Sequence, residues 1–218
     1  MPPIALLAPL SLVGLLTAQG DRQCKDGKES WINPRHEVDF THVVHSAVPL
    51  EPLEGQVVLV TGEPATPPPS PPEGPDCPIM QMRSDWVMGK EGIRIRQGGG
   101  GPPGIRVQSA TKVEVGARRE KEELVVRFRN PLTRPLGNVS LQLHYEGCYG
   151  KPGSSTHEKA IGTLAPGAIA EHRFPVMDEP GGRHVAHSFG VEGGDETVTV
   201  AVDLSLAKLG VEVACPDR

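Results

Sequence analysis

The clearest pattern along the chain is a strict alternation of apolar and polar residues in its second half. Over residues 197–206, TVTVAVDLSL, valine and leucine occupy every even position, while Thr199 and Asp203 are among the residues at odd positions. Residues 124–129 and 138–145 alternate in the same way. A period of two is typical of strands that bury one face. The pattern therefore predicts three strands.

Shorter apolar runs fill the intervals between these segments. They predict further strands over residues 105–108, 112–115, 159–164, 168–176, 184–191 and 210–214. Turn sequences rich in Gly and Pro, such as YGKPGSS, LAPG and DEPGGR, separate the runs. Seven to nine short strands without a helical period predict an all-β fold, with an antiparallel β-sandwich over residues 105–218.

The first half of the chain has a weaker strand pattern, over residues 38–48, 56–60 and 93–96. The proline-rich stretch at residues 64–78 predicts an extended loop, because proline cannot donate a hydrogen bond inside a sheet. The sequence GGGGPPG at residues 98–104 predicts a linker. Residues 19–97 are therefore expected to form either a strand-rich extension or a small subdomain.

The chain begins with an apolar run, at residues 4–16, which is followed by the small residues Thr17 and Ala18. The run is too short to span a membrane, since a spanning helix needs about 20 apolar residues. It fits a secretory signal peptide over residues 1–18 that is cleaved after Ala18. No Lys or Arg precedes the run, so a buried N-terminal strand or helix is the alternative. After removal of the signal peptide, no membrane span is expected.

Composition narrows the classes of function. The formal net charge is -5 with both signs interspersed, so nothing indicates a nucleic-acid partner. Aromatic residues make up only 4% of the chain, whereas Gly (26) and Pro (23) are plentiful. This composition favours short strands and turns over long helices.

Four cysteines, Cys24, Cys77, Cys148 and Cys215, lie far apart and contain no C-x-x-C spacing. In an exported chain an even number of cysteines predicts disulfides. Of the three possible pairings, Cys24–Cys77 with Cys148–Cys215 is favoured, since it places one bridge in each half. Each bridge would close a long loop and stabilise the fold by roughly 4 kcal/mol. A secreted or periplasmic location follows from the leader and these bridges.

The stretches ELVVRFRNPLTRPLGNVSLQLHY, IGTLAPG and TVTVAVDLSL resemble bacterial extracellular immunoglobulin-like modules of the CARDB type. The resemblance covers about residues 112–206 and consists of alternating strands, an Asn at a strand end and a Pro-Gly turn. It implies an immunoglobulin-like β-sandwich without catalytic residues that serves in adhesion, spacing or binding.

Two His-x-x-His pairs, HVVHS with His42 and His45 and HVAHS with His184 and His187, are the candidate chemistry. On a strand, residues i and i+3 point to opposite faces, so neither pair can chelate an ion by itself. One histidine of each pair could converge with the other, and Met80 and Met82 could supply sulfur ligands. Copper or zinc would be the metal of such a periplasmic site.

Signals for catalysis are weaker than this metal hypothesis. The stretch GSSTHE at residues 153–158 brings Ser and His close in sequence, but it is predicted to be a loop rather than a catalytic scaffold. The sequence therefore predicts no enzyme and no cofactor. It predicts an exported binding or structural protein of the bacterial cell envelope, whose partner is an envelope protein or a glycan. A periplasmic copper- or zinc-binding protein is the alternative.

Overall fold

The computed structural model describes residues 9–25, 28–38, 42–46, 49–65, 104–150, 153–178 and 183–216. The strands in chain order are β1 (Leu10–Lys25), β2 (Lys28–Val38), β3 (His42–His45), β4 (Val57–Ala65), β5 (Gly104–Lys112), β6 (Val115–Glu120), β7 (Glu123–Arg129), β8 (Leu136–Gly147), β9 (Ser154–Leu164), β10 (Ile169–Pro175), β11 (His184–Asp195) and β12 (Val198–Ser205). The helices in these residues are short 3-10 turns at Glu51–Leu53, Cys148–Gly150 and Leu206–Leu209. The prediction of an all-β fold is confirmed.

Helices of the described ranges are too short and too polar to cross a membrane.

The strands form two sheets. One has nine strands in the order β2-β3-β5-β4-β1-β12-β11-β8-β9, and the other has three strands in the order β10-β7-β6. Most neighbours are antiparallel, but β1 pairs with β12, and β3 with β5, in parallel. The three-stranded sheet packs on the β12-β11-β8-β9 part of the larger sheet. Side chains from both sheets, such as Phe128, Phe174 and Phe189, belong to the same buried cluster.

The N-terminal strands close into a barrel. Because β1 also pairs with β2, the pairings run in a circle through β1, β2, β3, β5 and β4. This closure removes the exposed edges that an open sheet would have. The interior of the barrel holds a second cluster of buried aliphatic side chains: Leu12, Leu16, Val38, Val44, Leu50, Val58, Val60 and Ile105.

Strand β1 is buried on both faces between Leu12 and Leu16. Leu12 and Leu16 pack inside the barrel, whereas Val13 and Leu15, on the opposite face, belong to the cluster between the two packed sheets. Strand β4 divides its side chains in the same manner, with Val58 directed to the barrel cluster and Val57 to the other. The two cores therefore share a pair of central strands.

The segment predicted as a signal peptide overlaps β1, so the alternative of a buried N-terminal strand describes what the structure shows from Leu10 onward. The run is apolar without alternation because both of its faces are buried, as in strands covered on two sides. Cleavage after Ala18 would remove Leu12, Val13, Leu15 and Leu16 from the two cores, and it stays a prediction.

Other strand boundaries differ from the sequence-based prediction. Residues 105–112 were expected in the sandwich, but β5 pairs with β3 and β4, so the sandwich strands begin at β6. Strand β9 begins at Ser154, earlier than the expected residue 159, because the loop sequence GSSTHE joins the ladder with β8. Residues 210–214 were expected to be a strand and have no regular structure. Residues 66–103, which include most of the proline-rich stretch and of the predicted linker, lie outside the described residues.

One of the two predicted disulfides is confirmed. Cys148 and Cys215 are bonded, with their Cα atoms 5.6 Å apart and a sequence separation of 67. The bridge ties the C-terminal segment to the end of β8. Cys77 lies outside the described residues, so the Cys24–Cys77 bridge stays a prediction.

The hairpin between β11 and β12 is fixed by Asp195. Its carboxylate accepts hydrogen bonds from the backbone amides of Thr197 and Val198, at 2.8 and 3.1 Å. Arg134 donates to both of its oxygens, at 2.7 and 3.2 Å. The Arg134 hydrogen bonds, followed by those from Thr197, hold the pKa of Asp195 well below its usual value. This turn sets the register of the two strands that carry the site described below.

We predict that Leu16→Ala lowers the free energy of unfolding by about 2–5 kcal/mol, because it empties a fully buried position of the barrel. The exposed neighbour Ala18 is the control, and Ala18→Ser is expected to change the free energy by less than about 0.5 kcal/mol. A chain of residues 19–218 should lose the cooperative unfolding of the barrel. Urea unfolding followed by circular dichroism measures all three; an unchanged transition in the shortened chain would contradict the role of β1.

We also predict that Cys215→Ser lowers the free energy of unfolding by about 2–5 kcal/mol, since it releases a long closed loop. The double variant Cys148→Ser/Cys215→Ser should be no more than slightly less stable than the single variant. Thermal unfolding without reductant checks this: the single and the double variant should unfold at nearly the same temperature, below that of the native protein, and a native-like temperature for either variant would contradict the role of the bridge.

Candidate functional site

The two His-x-x-His pairs occupy different parts of the molecule. His42 and His45 are the ends of β3 in the barrel, and His184 and His187 lie on β11 of the sandwich. By either route round the barrel, at least three strands separate β3 from β11. The structure therefore does not bring the two pairs together. Met80 and Met82, the other candidate metal ligands, lie outside the described residues.

Within the second pair, the two histidines face opposite sides of the sheet, as the strand period requires. His184 Nδ1 is 3.6 Å from Asp178 Oδ2, on the side of the three-stranded sheet. His187 Nε2 is 3.0 Å from Glu146 Oε1, on the outer face of the larger sheet, which is turned away from the three-stranded sheet. Each histidine thus belongs to a separate polar cluster.

The first cluster, here called the inner cluster, consists of Ser155, His157, Asp178 and His184. The Asp178 side chain is only 9% exposed. It accepts a hydrogen bond from the Ser155 hydroxyl and pairs with His157 Nε2. Its three partners come from β9 and β11, while Asp178 itself follows β10. The inner cluster therefore fastens the segment after β10 to two strands of the larger sheet.

The surroundings of the inner cluster are aromatic and tightly packed. The His157 ring lies 4.7 Å from the ring of Tyr145, and the Tyr145 hydroxyl donates to the carbonyl of Pro175 at 2.8 Å. Burial, and then the Asp178 charge, raise the pKa of Tyr145 far above its usual value. Gly153 leaves space for His184, because a Cβ there would lie 2.9 Å from His184 Nε2.

The inner cluster has the residue types of a hydrolase but not the arrangement. A nucleophilic serine must contact its histidine base, whereas the Ser155 hydroxyl donates to the carboxylate of Asp178. The carboxylate is the centre of the network, and its partners surround it. The contacts of Ser155 and His157 with Asp178 join the segment after β10 to β9, whereas the buried His184 Nδ1 forms no hydrogen bond among the described residues.

The second cluster, here called the bulge pocket, lies on the outer face of β8, β11 and β12. It is a shallow cavity of about 360 Å³ lined by Glu146, His187, Ser188, Asp203 and Ser205. The pairing of β11 with β8 slips by one residue between Ala186 and Ser188, so His187 is the extra residue of a β-bulge. A bulge redirects side chains and is common beside binding sites.

Two polar groups of the bulge pocket have no partner among the described residues. Ser188 is 5% exposed, and its buried hydroxyl makes no hydrogen bond. Asp203, on the neighbouring strand, is exposed, and its carboxylate forms no hydrogen bond or ion pair with any described residue. Buried polar groups are normally paired, so the Ser188 hydroxyl indicates a missing partner in this cavity.

Three other histidines lie outside the two clusters, and each contacts one neighbouring side chain. His36 Nε2 is 2.9 Å from Glu54 Oε1, and His144 Nδ1 is 2.9 Å from the Thr156 hydroxyl. His172 packs edge-on against Phe174 at 4.7 Å between ring centres. Burial, and secondarily the charge of Lys159, lower the pKa of His172. Across the part of the chain that the structure describes, no three His, Cys, Asp or Glu side chains are arranged to hold a metal ion.

Comparison with protein-family models and with curated proteins finds no match for this chain.

Sequence patterns missed most of these residues. The alternation from Ser155 to His157 places both on one strand face, and that signal was available in the stretch first predicted to be a loop. The sequence has no comparable signal for Asp178, which lies beyond the end of β10 and meets its partners only in the folded chain. The carboxylates of Glu146 and Asp203 occupy ordinary solvent-facing positions of their strands.

We predict that Asp178→Ala lowers the free energy of unfolding by about 2–3 kcal/mol, because it leaves the groups around it without their common acceptor. Asp203→Ala is the matched control, since it removes an unpaired carboxylate and should change the free energy by less than about 0.5 kcal/mol. Urea unfolding of both variants checks this. Equal effects of the two substitutions would contradict the structural role of the inner cluster.

Proposed function

We propose that this chain is an exported protein of the bacterial cell envelope that acts by binding, without catalysis, through an immunoglobulin-like β-sandwich of the CARDB type. The observation that carries the proposal is the path of the chain from β6 to β12. It alternates between a sheet of order β10-β7-β6 and one of order β9-β8-β11-β12, and the two share one core. Immunoglobulin-like sandwiches distribute antiparallel strands over two sheets in this manner.

The residues that carry the resemblance to CARDB-type modules contact one another, which supports the proposal. Asn130, at the end of β7, is 1% exposed. Its amide donates to the carbonyls of Leu164 and Ala165, at 2.9 and 3.1 Å, in the Pro-Gly turn after β9. Its side-chain oxygen accepts from the backbone amide of Leu132 at 2.9 Å. One buried side chain thus fixes both the strand end and the turn of the resembling sequence.

The Cys148–Cys215 bridge supports the proposed location, because disulfides persist mainly outside the cytosol. The outer face of β8, β11 and β12 is the proposed binding surface. It combines a cavity with unpartnered polar groups, and specific binding sites are typically concave with a few directed polar groups. An envelope protein or a glycan is the proposed partner.

The test is to express the whole chain with a C-terminal tag in a bacterium that has a periplasm. We expect the protein in the fraction outside the cytosol, with Cys148 and Cys215 protected from alkylation until a reductant is added. Intact mass then shows whether Leu10–Ala18 remains in the exported protein. Cytosolic protein with two reactive thiols at these positions would contradict the proposed location.

The non-catalytic part of the proposal is tested on the same purified protein with generic ester and peptide substrates. Ser155→Ala and Ser188→Ala serve as matched variants, because these two serines lie in the two polar clusters. We expect no turnover above the variants. Turnover that either substitution abolishes would contradict a purely binding function.

A further inference from the structure

We propose that the bulge pocket binds a guanidinium group, supplied by an arginine side chain of a partner protein. The inference rests on the proposed function, since it names the chemical group that the binding surface recognises. Its basis is the buried, unpartnered Ser188 hydroxyl beside the unpaired carboxylate of Asp203.

The groups in the bulge pocket favour a cation. Two carboxylates, Glu146 and Asp203, and two serine hydroxyls line it. Glu146 already pairs with His187 at 3.0 Å, whereas Asp203 pairs with no described residue. An anion would be repelled by both carboxylates, while a cationic donor would satisfy Asp203 and the Ser188 hydroxyl together. Hydrogen bonds between charged partners are about twice as strong as neutral ones.

The outer face of the three-stranded sheet differs from the bulge pocket in how its charges are paired. On the three-stranded sheet the charges pair with one another across strands. Arg173 Nη1 is 2.7 Å from Glu120 Oε2, and Arg129 Nε is 2.8 Å from Glu114 Oε2. The hydrogen bond from Arg129 lowers the pKa of Glu114, and those from Arg118 and then Arg173 lower the pKa of Glu120. That face satisfies its own charges, whereas the bulge pocket leaves an acceptor for an external cation.

An organic cation fits the bulge pocket better than a metal ion. A metal ion requires several ligands converging on one point, and the described residues contain no such group. The cavity of about 360 Å³ is also much larger than one ion needs. Its oxygen atoms are spread over β8, β11 and β12, so a ligand with several donors is required. Guanidinium presents five N–H donors in a rigid plane, whereas an ammonium presents three on one atom.

A side chain of a partner fits the open shape of the site. Asp203 and Ser205 are exposed at the surface, while Ser188 lies at the buried side. An arginine carried on a neighbouring protein can enter from solvent with its backbone outside. A free amino acid would bring its own carboxylate towards Glu146 and Asp203.

The experiment is a titration of the ¹⁵N-labelled whole chain with the blocked peptide acetyl-Gly-Arg-Gly-amide, followed by NMR. We expect amide shifts at His187, Ser188 and Asp203 with a dissociation constant of about 1 mM, the weak end for a single charged contact. The citrulline peptide of the same shape, which carries no charge, should produce no shifts there. Free arginine should bind more weakly than the blocked peptide.

Single substitutions test which residues of the bulge pocket contact the arginine peptide. Asp203→Asn should weaken the arginine peptide about tenfold and Ser188→Ala about threefold. Glu192→Gln, on the same outer face of β11 but outside the bulge pocket, should leave the affinity unchanged. Dispersed amide spectra show that each variant is folded.

Four results would overturn the proposal: equal shifts from the citrulline peptide, no effect of Asp203→Asn, tighter binding of free arginine, or pocket shifts from zinc chloride and none from the peptide. The proposed function fails separately. Cytosolic location or catalytic turnover would contradict the proposed function without altering these shifts. Failure of the arginine peptide to bind would contradict the guanidinium proposal and leave the case for export and for the sandwich unaffected.

Discussion

Burial of β1 on both faces is the constraint on which the rest of the structure depends. Leu12 and Leu16 complete the barrel core, and Val13 and Leu15 complete the sandwich core. The same strand pairs with β4 on one side and β12 on the other, so it joins the barrel to the sandwich by hydrogen bonds as well as by packing. With only 4% aromatic residues, the chain has few of the large side chains that fill most cores. Two hydrophobic cores that share strands β1 and β4 compensate for the small number of aromatic side chains.

A strand with two buried faces also explains why the N-terminal sequence is ambiguous. Half-buried strands alternate, whereas strands covered on both sides are continuously apolar. A continuous apolar run of this length, followed by small residues, is also the pattern of a secretory leader. Composition cannot separate the two, because both place apolar side chains at consecutive positions. The pairing partners of β1 lie far away in sequence, and only they distinguish a strand from a leader.

The all-β class and several strands of the second half were predictable from sequence, to the extent that those strands are half-buried. Strands β7, β8 and β12 alternate, and they lie where residues such as Leu124, Leu141 and Val200 predicted them. The barrel was not predictable, because its closure depends on parallel pairing of β3 with β5 across a long sequence separation. The pattern over residues 105–108 predicted a strand but not its neighbours, since a single strand pattern does not specify its pairing partners, which are β3 and β4.

The candidate site was less predictable than the fold. The repeated His-x-x-His spacing drew attention to His42 and His187, which the structure places in different units. What the spacing did establish is that His184 and His187 face opposite sides of β11, and the two clusters follow from that. The groups that complete them, Asp178 and Asp203, are single carboxylates whose neighbours are assembled from distant strands. Which of the two carboxylates has hydrogen-bond or ion-pair partners depends on the contacts between distant strands, and no local sequence pattern specifies those contacts.

The two carboxylates differ in role: Asp178 stabilises the fold, whereas Asp203 belongs to the proposed binding surface. Asp178 is nearly buried, accepts a hydrogen bond from Ser155 and pairs with His157, so its charge is neutralised by partners within the fold. Asp203 is exposed, unpaired and adjacent to a buried hydroxyl that also lacks a partner. Leaving a hydroxyl unsatisfied costs free energy, and the bulge at His187 interrupts a ladder that would otherwise be regular. The unsatisfied hydroxyl and the interrupted ladder both lie next to a carboxylate that has no partner in the fold. A bound external ligand, as proposed above, would offset both costs.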